Sequence, residues 1–394
     1  MSPESRRPRF HFTAQRGWIN DPLGMTYVDG QYHLFFQYVP DSTEWQPNCH
    51  WGHAVSTDLV HWTERKVALA PGEGDDGIWS GSLIQHPEHG PMLFYTAVSI
   101  PDFAIGAVRL AMPTDGTWND WTKHDTVVVA PQELEVRAFR DPYVFQDGDG
   151  WRMLVGTSLA DGTAAASSFS SQDCLHWNFD GLAAQRPRTA ADPVWTGSLW
   201  ECPQVFEIDG EDVMITSVWD DDVLHYVAYA VGRYSEGTFR ADSWRRLTFG
   251  DSYYAPSFFR DRDGKPCLIY WLRGPGGDDV GWKGALSIPH RLSLIDDELR
   301  CEPHPAALES FAREQDERGD GVHVVRWDQL AEAVTLPLGG DGDLALERIG
   351  RSIAIRTDSA EWHVPQSEAP ETVMILADGS VCEVFLGGSV FAIG

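Results

Sequence analysis

The chain has 394 residues, 42% of them apolar, with 59 acidic side chains against 30 basic ones and a formal net charge of −29. A field of that sign repels phosphate backbones and acidic lipids, which excludes nucleic acid and anionic membrane surfaces as partners. The length exceeds one ordinary domain and suits a large domain with a smaller one after it.

From the N-terminus, Met1 to His11 is polar and basic and lacks the apolar core of a secretory signal. No stretch reaches the length of a membrane span. The six cysteines (Cys49, Cys174, Cys202, Cys267, Cys301 and Cys382) form no CxxC pair, so neither a zinc site nor a dense disulfide framework is expected. Together these features predict a cytoplasmic protein without a metal or other cofactor.

From Asp21 onward one pattern recurs: a small or acidic residue, often Pro, an apolar run, a turn, and a second apolar run. The five copies begin at Asp21, Gly81, Asp141, Cys202 and Ala255, a spacing of roughly 60 residues. Each reads as a β-hairpin. Asp29-Gly30, Asp149-Gly150, Asp209-Gly210 and Asp263-Gly264 supply the turns, and His89-Gly90 serves the second copy. Behind the hairpins, Ser56, Asp58 and Trp62 recur at the same spacing as Ser171, Asp173 and Trp177, a turn followed by an anchoring Trp. Five such units predict an all-β fold, a five-bladed β-propeller over residues 1–300. From about Cys301 the pattern changes to short alternating strands, predicting a short β-sandwich-like domain over 301–394. The charged stretch Glu309 to Asp320 reads as a loop or a short surface helix. The final apolar strand, Val390 to Ile393, has to be docked, either inside the chain or against a second subunit in a homo-oligomer.

The innermost strand of every propeller blade lines the central channel, so equivalent positions in the repeat face one cavity. Asp21 opens the first unit, Asp141 opens the third, and Glu201 immediately precedes the fourth. A single Asp-Pro step would be a turn signal and nothing more. Three aligned acids are different, because their mutual repulsion holds one protonated, as a general acid requires. Around them the same register places Trp79, Ser80 and Tyr254 at the channel edge. Arg140 is suited to hold a carboxylate. Seventeen tryptophans supply flat faces for sugar rings. Trp18, Trp45, Trp79 and Trp271 are candidates for the pocket wall, with Asn20, Gln37 and Ser80 as hydroxyl partners. Cys202 either tunes Glu201 or is a small buried residue without chemistry, and His53 reads as a structural histidine.

These residues resemble the motifs of glycoside hydrolase family 32, the invertases, fructanases and related β-fructofuranosidases. Its Trp-Met-Asn-Asp-Pro motif is similar to Trp18-Ile19-Asn20-Asp21-Pro22 here, its Arg-Asp-Pro to Arg140-Asp141-Pro142, and its Glu-Cys to Glu201-Cys202. Phe36-Gln37-Tyr38-Val39-Pro40, Trp51-Gly52-His53, Trp79-Ser80-Gly81-Ser82 and Tyr254-Ala255-Pro256 follow in the family's order. Val39 and Leu23 stand where the family has Asn. The resemblance covers about residues 10–290 and implies a propeller followed by a sandwich. It implies retaining hydrolysis of terminal fructofuranosyl units of sucrose or short fructo-oligosaccharides. In that scheme Asp21 is the nucleophile, Glu201 the acid/base and Asp141 the hydroxyl-binding stabiliser. The rival readings are an inverting arabinanase or xylosidase on a similar propeller, and a non-catalytic sugar-binding propeller.

Overall fold

Each hairpin of the repeat forms the two inner strands of one sheet. The innermost strands are Gly17–Val28, Gly77–His86, Val136–Asp147, Leu199–Ile208 and Tyr253–Arg260. They pair antiparallel with Gln31–Val39, Gly90–Val98, Gly150–Leu159, Glu211–Asp220 and Pro266–Gly277. Two further strands complete each blade. The structure, a computed structural model, describes residues 7–318, 322–328, 333–337, 343–366 and 372–394. Gly319 and Asp320, the end of the charged stretch, lie outside the described residues.

The second strand of a blade is covered by neighbouring blades on both faces, which explains its unbroken apolar run. Leu93, Phe94 and Tyr95 are all fully buried. Phe94, Val108, Phe139, Met153 and Phe169 share one cluster between the second and third blades. Each such ring or branched chain removed from water stabilises the fold by about 1.5–3 kcal/mol.

The hairpin turns follow the sequence signals with two shifts; in the second blade the turn is residues 87–89 and Gly90 already starts the strand. Asp29 and Gly30 both have positive φ (50° and 82°), as do Asp209 and Gly210 (54° and 87°). In the third blade the turn is Gly148-Asp149, with Gly148 at φ 61°, and Gly150 is already in the strand. The Ser-Asp-Trp repeat is a turn capped twice over. Ser56 Oγ accepts from the backbone of Asp58 and Leu59, and Asp58 Oδ1 accepts from Val60 and His61. Ser171 and Asp173 repeat these bonds.

The ring closes through hydrogen bonds between its ends. Trp282–Leu286, the upper part of the fifth blade's third strand, runs parallel to Gly17–Val28 with Gly17 opposite Trp282 and Trp18 opposite Lys283. First and last blades therefore share one nine-stranded sheet. That sheet ends with His290–Ile295 and Glu298–Pro303.

Beyond Pro303, a helix over Pro305–Arg318 packs Phe311 against Phe10. Two sheets then face each other. One contains Val334–Pro337, Asp343–Ile349, Ser352–Arg356 and Glu361–Pro365, and the other Val322–Asp328, Thr372–Asp378, Val381–Phe385 and Val390–Ile393. Leu344, Leu346, Ile353 and Ile355 from the first meet Val373, Ile375, Val384 and Phe391 from the second. This is the expected sandwich-like portion. Its last strand is docked inside the chain: Val390–Ile393 lies between Val381–Phe385 and Thr248–Gly250, a strand between the fourth and fifth blades. Both edges are taken, so this strand needs no second subunit to cover it.

Candidate active site

Every innermost strand carries a register shift at the same height. The breaks fall between Ile19 and Pro22, Trp79 and Gly81, Arg140 and Tyr143, Glu201 and Gln204, and Tyr254 and Ser257. A bulge sets extra residues against its partner strand and re-aims side chains. Asn20-Asp21, Ser80, Asp141 and Cys202 occupy these bulges. Asp141, Cys202 and Ala255 hold φ of 66°, 48° and 43°, which non-glycine residues seldom adopt. Alternation alone would have sent half of these side chains away from the pocket. Below them a narrow axial cavity of about 40 Å³ is lined by Pro22, Asp141, Cys202, Gln204 and Ser257, among others.

The three acids predicted from the repeat converge, Asp21 and Asp141 through Cys202, and Glu201, the residue before Cys202, through partners of its own. Asp21 Oδ1 accepts from Asn20 (3.0 Å), and its Oδ2 accepts from Ser80 Oγ (2.5 Å) and Gln37 Nε2 (3.3 Å). The Cys202 thiol donates to the same Oδ2 at 3.7 Å, while the Cys202 backbone N–H donates to Asp141 Oδ2 at 3.1 Å. Cys202 thus touches Asp21 and Asp141, where its sequence position left open either tuning of Glu201 or no chemistry at all. Glu201 Oε1 accepts from Arg140 Nε (2.9 Å) and Nη2 (2.8 Å), and Oε2 accepts from the Tyr254 hydroxyl (2.7 Å).

Burial raises the pKa of Asp21; the bonds from Ser80 and Asn20 oppose this and the charge of Glu201 adds to it. Burial and the charge of Glu201 also raise Asp141, against the pull of Arg140. Burial and the charge of Glu201 thus disfavour ionising both aspartates at once.

The wall is aromatic. Trp18 donates from Nε1 to Asn20 (3.2 Å) and meets Trp271 edge-on, which in turn meets Tyr254. Trp79 is fixed by its Nε1 bond to Pro47 O (2.8 Å) and packs with Phe103 and the 41%-exposed Trp45. All the predicted site residues are thus in or around one pocket, with Trp45 at its outer edge.

Sequence reasoning missed three participants. Arg140 lies between the rings of Trp79 and Trp219, 5.8 and 5.5 Å from their centroids. Thr96 Oγ1 accepts from the Asp141 backbone N–H (2.8 Å) and donates to Ser80 O (2.9 Å). Arg273 stacks over Tyr254 at 5.2 Å. Thr96 and Trp219 sit on second strands, directly opposite Trp79 and Leu199. Extending the register across each hairpin would have found both.

His53 lies away from the acids. His33 Nδ1 is 3.1 Å from His53 Nε2, and His53 stacks on Phe35. Burial lowers the pKa of these two histidines to about 4 (His33) and about 3 (His53). Among the described residues, Asp261, Cys267 and His304 come close enough together to hold a cation. There the Arg291 guanidinium donates to Asp261 (2.5 Å) and lies 3.1 Å from His304, so a fixed positive charge already fills the place.

The family model described as glycosyl hydrolases family 32 N-terminal domain matches residues 11–303. A fructan 6-exohydrolase of Beta vulgaris is 31% identical over 351 residues, covering 79% of this chain and 56% of that protein. A sucrose-6-phosphate hydrolase of Zymomonas mobilis is 31% identical over 323 residues, covering 75% and 61%. The chain thus spans little more than half the length of these curated relatives. Among solved structures, a Bombyx mori β-fructofuranosidase in complex with sucrose superposes with TM-score 0.81 at 24% identity, covering 98% of this chain and 88% of that one. The fructan 1-exohydrolase IIa of Cichorium intybus gives 0.79 at 21%, covering 99% and 91%. These two likenesses concern the fold.

Proposed function

Since this chain belongs to glycoside hydrolase family 32, we propose that it is a retaining β-fructofuranosidase acting on terminal fructosyl units of sucrose or short fructans. One observation carries the reading: Asp21 and Asp141 are bonded to the same Cys202, and Glu201, the residue before it, interacts electrostatically with both and is gripped by Arg140.

The roles follow from the partners. Asp21 is held by four donors, which fix its direction and favour its ionised form. It attacks C2 of the fructosyl unit. The C2–O bond breaks with its electron pair passing to the leaving oxygen, and Glu201 supplies the proton that this oxygen takes up. The Asp21–C2 ester then reacts with water. Glu201, now ionised, takes a proton from that water, its oxygen bonds to C2, and Asp21 leaves as carboxylate. Asp141 accepts hydrogen bonds from ring hydroxyls. Those bonds stabilise its charge against the burial that disfavours it. They also strengthen as positive charge develops on the ring.

The fold positions these groups on five rigid strands and keeps bulk water off them, with Asp21 and Asp141 only 9% and 5% exposed. Six free, buried thiols support a reducing, cytoplasmic location. NMR of sucrose hydrolysis, read before mutarotation, tests the proposal. Fructose released first as the β-furanose agrees with it. The opposite anomer, or no hydrolysis of any β-fructoside, overturns it.

A further inference from the structure

The acids of the pocket sit near the N-terminal ends of the innermost strands, with the axial cavity on the other side. The mouth therefore lies where each blade's second strand passes to its third. Residues 40–49 link them in the first blade beside Trp18, and residues 99–106 do so in the second beside Gly77. Residues 160–162, 221–222 and 278–281 are the corresponding links in the other blades.

These five links share a composition that the catalytic scheme does not require. The first contains Asp41 and Glu44, and the second Asp102. The third contains Asp161, the fourth Asp221 and Asp222, and the fifth Asp278 and Asp279. None contains Lys or Arg.

The arginines closest to the mouth are already engaged. Arg140 is bound to Glu201. Arg188 donates to Asp220 (2.5 Å) and Asp221 (2.6 Å). Arg273 donates to the backbone carbonyls of Leu224 (2.8 Å) and His225 (3.3 Å). Arg16 faces Asp41 at 3.7 Å, and the exposed Arg137 lies beside Asp161. Among the described residues, Lys283, opposite Trp18, is a rim cation that no hydrogen bond or ion pair engages.

We propose that this acidic mouth selects uncharged fructosides and rejects sugars phosphorylated on the leaving group. The inference rests on the β-fructofuranosidase reading above and names the substrate class within it. Arg16, Arg188 and Arg137 offset Asp41, Asp221 and Asp161 in part, but Glu44, Asp102, Asp222, Asp278 and Asp279 leave the mouth with a net negative charge for an entering phosphate dianion to meet. Its approach is disfavoured over a distance of about one Debye length, roughly 8 Å at physiological salt. A neutral glucosyl or fructosyl leaving group meets no such barrier and finds the apolar faces of Trp45 and Phe103.

The test compares kcat/KM for sucrose and for sucrose carrying a 6-phosphate on glucose, from low to high ionic strength, in the full chain and in Asp221→Lys/Asp222→Lys. Neither residue belongs to the catalytic network. At low salt the neutral sugar should be preferred by about tenfold or more. The preference should shrink as salt rises and shrink again in the double variant, with the rate on sucrose unchanged. A phosphorylated sugar cleaved as well as sucrose at low salt overturns the proposal. So does a preference indifferent to both salt and the substitutions, which would mean exclusion by shape. If the phosphorylated sugar is preferred and Lys283→Ala abolishes that preference, Lys283 is a phosphate ligand and the inference is wrong while the β-fructofuranosidase reading stands. If neither sugar nor any other β-fructoside is cleaved, the β-fructofuranosidase reading itself fails and takes the inference with it.

Discussion

Asp21 and Glu201 are both carboxylates in one pocket, yet their neighbours prepare them for different work. Asp21 is surrounded by neutral donors: Asn20, Gln37, Ser80 and Cys202. Neutral donors hold its direction without quenching its attack. Glu201 is gripped by a guanidinium on one oxygen and a phenol on the other. Replacing Asp21 with Ala should cost about 10⁴-fold or more in kcat, with thermal stability near that of the unaltered protein. Replacing Glu201 with Ala should cost comparably on sucrose but much less on a fructoside whose leaving group needs no proton. Azide should then restore turnover of that substrate and give the β-fructosyl azide. No rescue, with the protein folded, would remove Glu201 from the acid/base role. Tyr254→Phe removes the hydroxyl that holds Oε2 of Glu201. The variant should lose more rate on sucrose than on a fructoside whose leaving group needs no proton, whereas a merely structural Tyr254 would slow both equally. These three acids and Tyr254 were legible in the sequence because the repeat fixes equivalent positions. Trp219 and Thr96 were harder to see, because they reach the pocket from the second strand, and only pairing each hairpin residue by residue places them opposite Leu199 and Trp79.

The bulges on the innermost strands, and the joints between elements, were not legible at all. A bulge breaks alternation for two or three residues, too few for periodicity to register, and the pairing that defines it lies on another strand. The joint between the propeller and the sandwich is more distant still. His11, Tyr253 and His290 meet Asp378 and Glu383 in a cluster whose members are 9% exposed or less. His11 Nδ1 is 2.9 Å from Asp378 and its Nε2 is 2.7 Å from Glu383; His290 Nε2 is 2.9 Å from Glu383. Burial opposes charge on His11, but its bonds to Asp378 and Glu383 win and raise its pKa to about 9. Burial likewise opposes charge on Glu383, and the bonds from His11 and His290 outweigh it and hold its pKa well below the usual carboxylate range. The signs follow by linkage. His11 contributes stability in full below its unfolded pKa of about 6.5, and that stability is lost as pH rises through about 9. Glu383 contributes above about 4.3 and loses it as pH falls toward its lowered value. The melting temperature should therefore fall between pH 7 and pH 9.5. His11→Ala should lower folding stability outright, by about 3–5 kcal/mol as for a broken buried pair, and should flatten that slope. A slope unchanged in the variant would show that another group titrates there.

At the scale of the whole molecule, the ring and the sandwich are one construction. The terminal strand Val390–Ile393 pairs with Thr248–Gly250, and Phe311 of the helix covers Phe10. The sequence signalled two regions through a change of pattern near Cys301, and it required the last strand to be docked. Where that strand docks depends on partners more than a hundred residues away, and local pattern carries no such information. Deleting residues 301–394 strips the partners of His11 and His290 and bares the Thr248–Gly250 edge. The truncated chain should aggregate or melt at a much lower temperature, and any soluble fraction should keep a near-normal KM, because the catalytic network ends at Tyr254. A stable, monodisperse truncation would show that the joint contributes little. Loss of sugar binding in a well-folded truncation would place part of the site in the sandwich.

Asp21 is the residue that bonds to the sugar, and one measurement tests this directly. Glu201→Gln, given an activated β-fructoside and quenched in acid, should accumulate a protein heavier by one fructosyl unit. Peptide mapping should place that unit on Asp21. A label on any other residue contradicts the account, as does turnover with no covalent species and an inverted first product.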